Sequence, residues 1–357
     1  MNRFLSLRNV TLALGLAALT TPSFAAEDLD DSTDQSGWFI RLGGRISTGV
    51  KAQIRDTQVA PTPTAGVYND GFVLPDAGGS STLTQNWGYQ NAGQVQGNNL
   101  VFHRLDSVPR VGDRTGLQDN PQYGGELVGG FEFVRFDLGK REARFGFELG
   151  YSYSQFSVTD HATAKGSSPF TVDGYPLDAL VPGSPINPPG APYAGSFIGS
   201  ANSNNPLIGL NTSSHTVTSV AGTSTLNSRL ESDFHTFRVG PWIEVPLSAR
   251  VNLALSVGYA TIYSAAHLTL DESVTYADPA AQAFAPVPIS GRYLRSHWSP
   301  GAYAQLRATY RLTKHVGVYI GGDFQYNTGV TVTAPGREAR FDFGKTYGAV
   351  VGVTYGF

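Results

Sequence analysis

The sequence predicts an all-β chain that closes into an antiparallel, up-and-down transmembrane β-barrel of eight strands. Three observations predict it. Apolar and polar residues alternate with a period of two in segment after segment, which is the signature of strands with two unlike faces. Tight turns alternate with long polar connections, as they do in barrels that carry both termini and the short turns on one side of a membrane. The composition sets 42 Gly, 17 Tyr and 20 Phe against a negative mean hydropathy, which suits aromatic girdles around a polar interior better than a dry core.

The N-terminal region reads as an export signal. Arg3 and Arg8 precede an apolar run through Val10, Leu12, Leu14, Leu16 and Leu19, and Ser23 and Ala25 stand at the −3 and −1 sites of a cut before Ala26. Residues 1–25 are therefore a signal peptide. The run is too short for a spanning helix, and no later window is apolar over a sufficient length. Residues 26–37 form an acidic leader with Glu27, Asp28, Asp30, Asp31 and Asp34, the composition of a solvated tail. Residues 38–357 make the barrel, with long outer loops at 51–123, 159–227 and 271–291. Cys is absent, so closure falls to the hydrogen-bond ladder, and the net charge of −3 gives no support to nucleic-acid binding.

The first strand places Trp38, Ile40, Leu42, Gly44, Ile46 and Val50 on one face and Arg41, Gly43, Arg45, Ser47 and Gly49 on the other. Two arginines on one frame imply a charged interior. Residues 51–122 show little alternation; a structureless connection of that length is uncommon, so it is expected to hold its own hairpin, fold over the mouth or hide two further strands. The hairpin over 125–158 turns at 138–141, with Phe145, Phe147, Leu149, Tyr151 and Tyr153 outward and Arg144, Glu148 and Ser152 inward. In its first arm Phe131 and Phe133 share one frame while Val134 and Phe136 take the other, which predicts a bulge near Phe133 and Val134.

After the Pro- and Ser-rich loop of 159–227, a second hairpin sets Phe237, Val239, Ile243 and Val245 against Val251, Leu253, Leu255, Val257 and Tyr259. Its inner frame carries Arg238, Trp242 and Glu244, then Asn252 and Ser256. Pro241 lacks a ladder donor, which predicts a bulge or an edge-like position. The third hairpin turns outward Leu306, Tyr310, Val318, Ile320, Phe324 and Tyr326, and inward Tyr303, Arg307, Arg311, Tyr319 and Asp323. A shorter loop at 328–337 leads into a last strand over 338–357, apolar at every second position from Phe357 back to Ala339 except Lys345. The count is eight, or ten or twelve if the long loops donate hairpins.

The final segment resembles the C-terminal signal by which bacterial outer-membrane β-barrels are recognised for assembly: a glycine, two residues, an aromatic, one residue and a terminal aromatic. Those positions are Gly352, Tyr355 and Phe357, with Val350 where the family prefers a polar residue. By strand count and C-terminus the chain is most similar to the small OmpA/OmpX-like barrels. The resemblance implies the cell outer membrane as the location. It implies outer-membrane lipid, lipopolysaccharide and the barrel-assembly machinery as partners.

Function is then a matter of the interior and the loops. Arg41, Arg45, Arg144, Arg238, Arg307 and Arg311 face Glu132, Glu148, Glu244 and Asp323 across the inner frame, an expected charge network. Were the register symmetric about Lys140, Glu132 and Glu148 would face each other; an acid–base pair is the sharp reading, and ionised carboxylates bridged by Arg45 or Arg307 the structural one. His235, His267 and His297 lie toward the outer ends of their strands, yet no HExxH or G-x-S-x-G accompanies them. Lys345 sits about 30 Å above Phe357 for a strand tilted by about 40°, where it could meet lipopolysaccharide phosphates or simply snorkel. The expectation is a monomeric, non-enzymatic envelope protein without cofactor or metal that presents its long loops at the surface. A narrow porin-like diffusion channel is the alternative, and a membrane hydrolase a third reading.

Overall fold

In the computed structural model, which describes residues 37–60, 62–76, 82–137, 142–177, 188–195 and 206–357, eight strands pair antiparallel in a ring. They are β1 (Trp38–Thr48), β2 (Gln122–Asp137), β3 (Glu142–Pro176), β4 (Ser214–Pro246), β5 (Val251–Tyr276), β6 (Ile289–Arg311), β7 (Val316–Asn327) and β8 (Thr346–Gly356). Each pairs with the next in sequence, and β8 returns to β1 with Phe39 opposite Gly356 and Thr48 opposite Tyr347. The signal peptide, the acidic leader and the turn at 138–141 lie outside the described residues.

Glycines set the closeness of β1, β7 and β8. A Cβ on Gly43 would stand 2.5 Å from the Tyr319 hydroxyl, and one on Gly352 would stand 2.2 Å from the Leu42 carbonyl oxygen. Gly352 therefore has a packing role in the ring: it leaves room for the Tyr319 side chain inside.

The bulge expected near Phe133 is present, as a register shift between Glu132 and Val134. It overturns the facing of Glu132 and Glu148. Pairing begins at Asp137 opposite Glu142, and the extra residue Phe133 slips it once more, so Glu148 lies opposite Gly130 and Glu132 opposite Gly146. Pro241 causes no bulge. The ladder between β4 and β5 skips Gly240 and Pro241 and resumes unshifted at Trp242 opposite Ser256.

Two further expectations are corrected. The loop at 159–227 is largely strand: β3 and β4 stay paired from Arg144 opposite Glu244 out to Gly174 opposite Ser214. Its Ser, Thr and Gly content misleads because one face of this extension is wet and carries polar residues without breaking the ladder. The last strand is also two strands. Arg337–Asp342 ends before Phe343, Gly344 and Lys345 turn the chain, and β8 starts at Thr346. Ala339, Phe341 and Phe343 are fully buried rather than lipid-facing.

That first piece belongs to a four-stranded sheet ordered Val330–Ala334, Arg337–Asp342, Lys51–Asp56, Arg114–Leu117. The long connection after β1 thus holds strands of its own, which join no further staves to the ring. Gly49, at φ +103, makes the turn from β1 into this sheet, a backbone angle that suits glycine.

Candidate functional site

The interior of the ring is filled by a buried ionic network. Glu126 accepts from Arg238 at 2.6 Å and from the Tyr319 hydroxyl at 3.2 Å, with Arg45 3.8 Å away. Arg45 donates to Asp323 at 2.6 Å. Glu148 accepts from Arg41 at 2.5 Å and from the Tyr303 hydroxyl at 3.4 Å, with Arg307 at 3.8 Å. Arg238 also lies over the Tyr303 ring, 5.4 Å from its centroid. Every one of these side chains is buried. Eight strands enclose an interior that side chains can fill, and here large charged and phenolic ones fill it.

Further along the long strands the two faces exchange character. On β4 the inward frame passes from Trp242 and Arg238 to Phe234, Leu230 and Leu226, while the outward frame passes from Ile243, Val239 and Phe237 to Asp233, Glu231 and Arg229. β5 repeats the change, inward from Ser256 to Ile262, Leu268 and Leu270 and outward from Tyr259 to His267 and Asp271. These inward apolar residues, with Phe156 of β3, form one core with Ile54, Val332, Ala339 and Phe341 of the small sheet and with Phe343 just after it. Arg337 anchors the small sheet to β5 by a bidentate pair with Glu272, at 3.0 and 2.5 Å. The ring is thus stopped above its charged layer by a dry plug.

The exchange coincides with a belt of contacting rings: Tyr151 with Phe237 at 5.4 Å, Phe237 with Trp298 at 5.7 Å, Tyr263 with Trp298 at 5.1 Å, and His235 among Tyr151, Tyr153 and Tyr263. At the turn end a second group joins Trp38, Phe131 and Phe133, and Tyr355 with Phe357. Between the two lie exposed Leu42, Leu127, Leu149, Leu255, Leu306, Ile320, Val351 and Val353.

The sequence-predicted network residues divide in two. Arg41, Arg45, Glu148, Arg238, Arg307 and Asp323 meet in the buried layer, with Arg41 and Arg307 at its turn-end edge. Glu132, Arg144, Glu244 and Arg311 line a cavity of about 90 Å3 at the turn end, where Glu132 pairs with Arg135 and lies 3.9 Å from Arg144, and Glu244 accepts from Asn252 at 2.8 Å. Glu126 was missed, although stepping back by twos from Glu132 reaches it. Tyr355 and Phe357 face outward, half exposed, and the chain end is held by the Phe357 N–H donating to the Trp38 carbonyl. Lys345 is exposed in the bend just before β8 begins.

The three strand-end histidines do not assemble. His235 belongs to the ring belt, while His267 lies opposite Glu231 and Leu294, and His297 opposite Ser264 on the other frame. Among the described residues no group of His, Asp and Glu is arranged to hold a metal. Two His–Asp pairs that sequence spacing could not reveal lie beyond the plug: His215 with Asp173 at 2.5 Å, and His103 with Asp70 at 2.7 Å. The Tyr68 hydroxyl donates to Asp173 at 2.6 Å, and burial drives its ionisation well above the ordinary range. These contacts tie Asp70 to strand Asn99–Leu105, Tyr68 to β3, and β4 to β3, while the strand itself pairs with β3 through its backbone, beside a separate aromatic core of Trp87, Tyr89, Phe102 and Tyr175.

Strand Arg114–Leu117 is held to β3 by Arg114, which donates to both Asp160 carboxylate oxygens at 2.7 and 2.9 Å. Those hydrogen bonds hold the Asp160 carboxyl below its ordinary value. A depressed carboxylate contributes stability that is present above the unfolded value of about 3.9 and is lost as pH falls through the lower folded value. Amide exchange in 114–117, corrected for its intrinsic pH dependence, is therefore expected to accelerate below about pH 4 and to lose that acceleration in Asp160→Asn.

No protein-family model matches the sequence, and no curated protein does. Solved structures it is similar to include the outer membrane protease OmpT from Escherichia coli, at 12% identity over 91% of this chain and 98% of that one, TM-score 0.32. They also include the outer membrane protein OprG from Pseudomonas aeruginosa, at 12% identity over 90% and 97%, TM-score 0.27. The transport unit of the autotransporter AIDA-I from Escherichia coli follows at 9% identity over 93% of each chain, TM-score 0.19. At scores of this size the fold rests on the ring's own pairings and faces.

Proposed function

We propose that the ring is a closed eight-stranded outer-membrane β-barrel of the small OmpA/OmpX-like class. In this reading it conducts no solute, catalyses no reaction, and holds a folded domain at the cell surface. The observation that carries the reading is the exchange of faces on β4 and β5 at the level of the ring belt. A strand wholly in water has no reason to move its apolar residues from one face to the other midway. A strand that leaves lipid and enters water must, because only its inner face then has a dry partner. The buried network and the plug leave the lumen without an open path among the described residues, and the surface domain would be the part that meets the outside.

Planar-bilayer recording tests the choice between this and the diffusion channel. The purified barrel is expected to insert without discrete conductance steps; regular openings would replace the structural role by transport. Gly352, Tyr355 and Phe357 serve in this reading as the assembly signal, and lipopolysaccharide surrounds the outer belt. Lys345 would pair with its phosphates. Exposed ion pairs are worth at most about 1 kcal/mol, so Lys345→Ala is expected to weaken lipopolysaccharide binding by about fivefold or less. An unchanged titration would leave Lys345 a snorkelling side chain.

A further inference from the structure

The wall that β3, β4, β5 and β6 raise beyond the ring has an edge on β3 and an edge on β6, and the chain treats them differently. On β3, strand Asn99–Leu105 pairs from Phe170 to Pro176, the Asp106 N–H donates to the Pro169 carbonyl, and Asp119 accepts from the Ser157 N–H at 2.6 Å. On β6, pairing with β7 stops at Gly301 opposite Asn327, whereas pairing with β5 runs on to Ile289 opposite Glu272. Successive residues of a strand turn their backbone groups to one neighbour and then the other. Arg311 donates to the Arg250 carbonyl on the β5 side, while Leu312 donates to Val316 and the Pro300 carbonyl accepts from Thr328 on the β7 side. The register of β6 carries no shift, so the same parity turns the N–H and C=O of Ser290, Arg292, Leu294 and Ser296 to the open edge, where no strand meets them among the described residues.

An open edge of this kind is a template for another strand, and folded chains blunt it with proline, lysine, a bulge or a covering segment. Residues 290–296 contain no proline, no lysine and no register shift. What they carry is charge of one sign. Arg292 on the outward frame and Arg295 on the other are both exposed, and neither has a carboxylate partner among the described residues; across the ladder they meet Thr269 and Ala266. Leu294, beside them on the outward frame, is 66% exposed beyond the ring belt. We propose that this edge takes an extended acidic segment of a partner protein as an added antiparallel strand, with a carboxylate for each arginine and an apolar side chain against Leu294. A second copy of the chain is the poorer occupant, because like edges would set arginine against arginine. The inference needs only the folded β5 and β6 and goes beyond the proposed surface role.

The probe is a labelled peptide with Glu-Val-Thr-Glu at its centre, which in antiparallel register sets its glutamates opposite Arg295 and Arg292 and its valine opposite Leu294. Fluorescence anisotropy follows its binding to the full chain refolded in detergent. Saturable binding is expected, weaker by about fivefold when Arg292→Gln is combined with Arg295→Gln, and weaker in about 0.5 M salt, where exposed charges are screened. Leu294→Pro tests the backbone: its N–H serves the open edge and not the β5 ladder, so the wall keeps its pairing while the added strand loses a donor. That variant, and the peptide N-methylated at its valine, are each expected to bind at least about fivefold more weakly. Undiminished binding in both would mean that charge alone makes the contact, and would overturn strand addition. Absence of saturable binding up to about 1 mM peptide would overturn it as well. A dimer of the chain that Leu294→Pro abolishes would give the edge to a second copy, and arginine variants that lose lipopolysaccharide but keep the peptide would give the arginines to lipid; either result removes the acidic segment as occupant. Heat-dependent gel mobility and amide exchange in β5 show whether each variant is folded with its ladder whole. Should the proline disturb that ladder, the N-methylated peptide against the unchanged chain decides.

Discussion

Glu126→Ala is expected to be among the most damaging single changes in the ring, costing about 3–5 kcal/mol, because it strips a buried ion pair of one partner and leaves the other uncompensated. Arg238 is the cation most exposed to that loss: it donates to Glu126 at 2.6 Å, is almost wholly buried, and has no other hydrogen-bonded carboxylate. Arg45 would keep Asp323 and Tyr319 would lose its acceptor. Equilibrium unfolding in urea from lipid vesicles, followed by tryptophan fluorescence, measures the effect. The contrast is Arg144→Ala at the mouth, where the nearest carboxylate is 3.9 Å away and water reaches the side chain; its expected cost is under about 1 kcal/mol. Similar losses for the two would mean that the interior is wetter than its packing implies.

The second large effect separates lipid from water on the outer wall. Val351, in the middle of β8, is 63% exposed, and Val217, on the outer extension of β4, is 52% exposed. Judged by exposure, either should accept a charged residue at little cost, within about 0.5 kcal/mol, if the neighbouring medium is water. With acyl chains against it, Val351→Arg is expected to cost about 2–4 kcal/mol, as a cation near the bilayer midplane does. Val217→Arg is expected to remain near zero. The same vesicle unfolding experiment reads both, and equal, small effects would deny that the two valines lie in different solvents.

The half of each ring strand with its apolar residues outward is legible in the sequence because every second residue there meets one environment, and aromatic residues mark where it ends. The bulge at Phe133 is legible for the same reason, since two aromatics in one frame are followed by two apolar residues in the other. What the bulge does to register is harder to read, because pairing that begins at Asp137 opposite Glu142 sets a second offset that periodicity does not show; hence the misplaced pairing of Glu132 with Glu148. The strand extensions are hidden by their own physics. Past Arg238 the apolar positions move to the inner frame, so a reader following the outer frame sees Asp233, Glu231 and Arg229 and takes the strand to have ended.

The same inversion explains why Phe341 and Phe343 read as lipid-facing: they continue the parity of Tyr347 and Val351, and only the break at Gly344 turns them to the plug. Glu126 is obscured by the glycines around it, Gly124, Gly125, Gly129 and Gly130, which blunt the alternation. Its partner Arg238 is 112 residues away, a pairing that no local pattern encodes.

The most direct test of the membrane face uses the chain's own four tryptophans. Trp38 and Trp298 project from the two aromatic belts at 58% and 53% exposure, whereas Trp242 lies inside the ring and Trp87 in the core beyond the plug. Single-tryptophan variants are reconstituted in vesicles of brominated lipid. Strong quenching of Trp38 and Trp298, with Trp87 and Trp242 untouched, is the result expected of a ring whose outer face meets acyl chains. Trp38 and Trp298 left bright by bromolipid and quenched instead by acrylamide from the aqueous phase would contradict it.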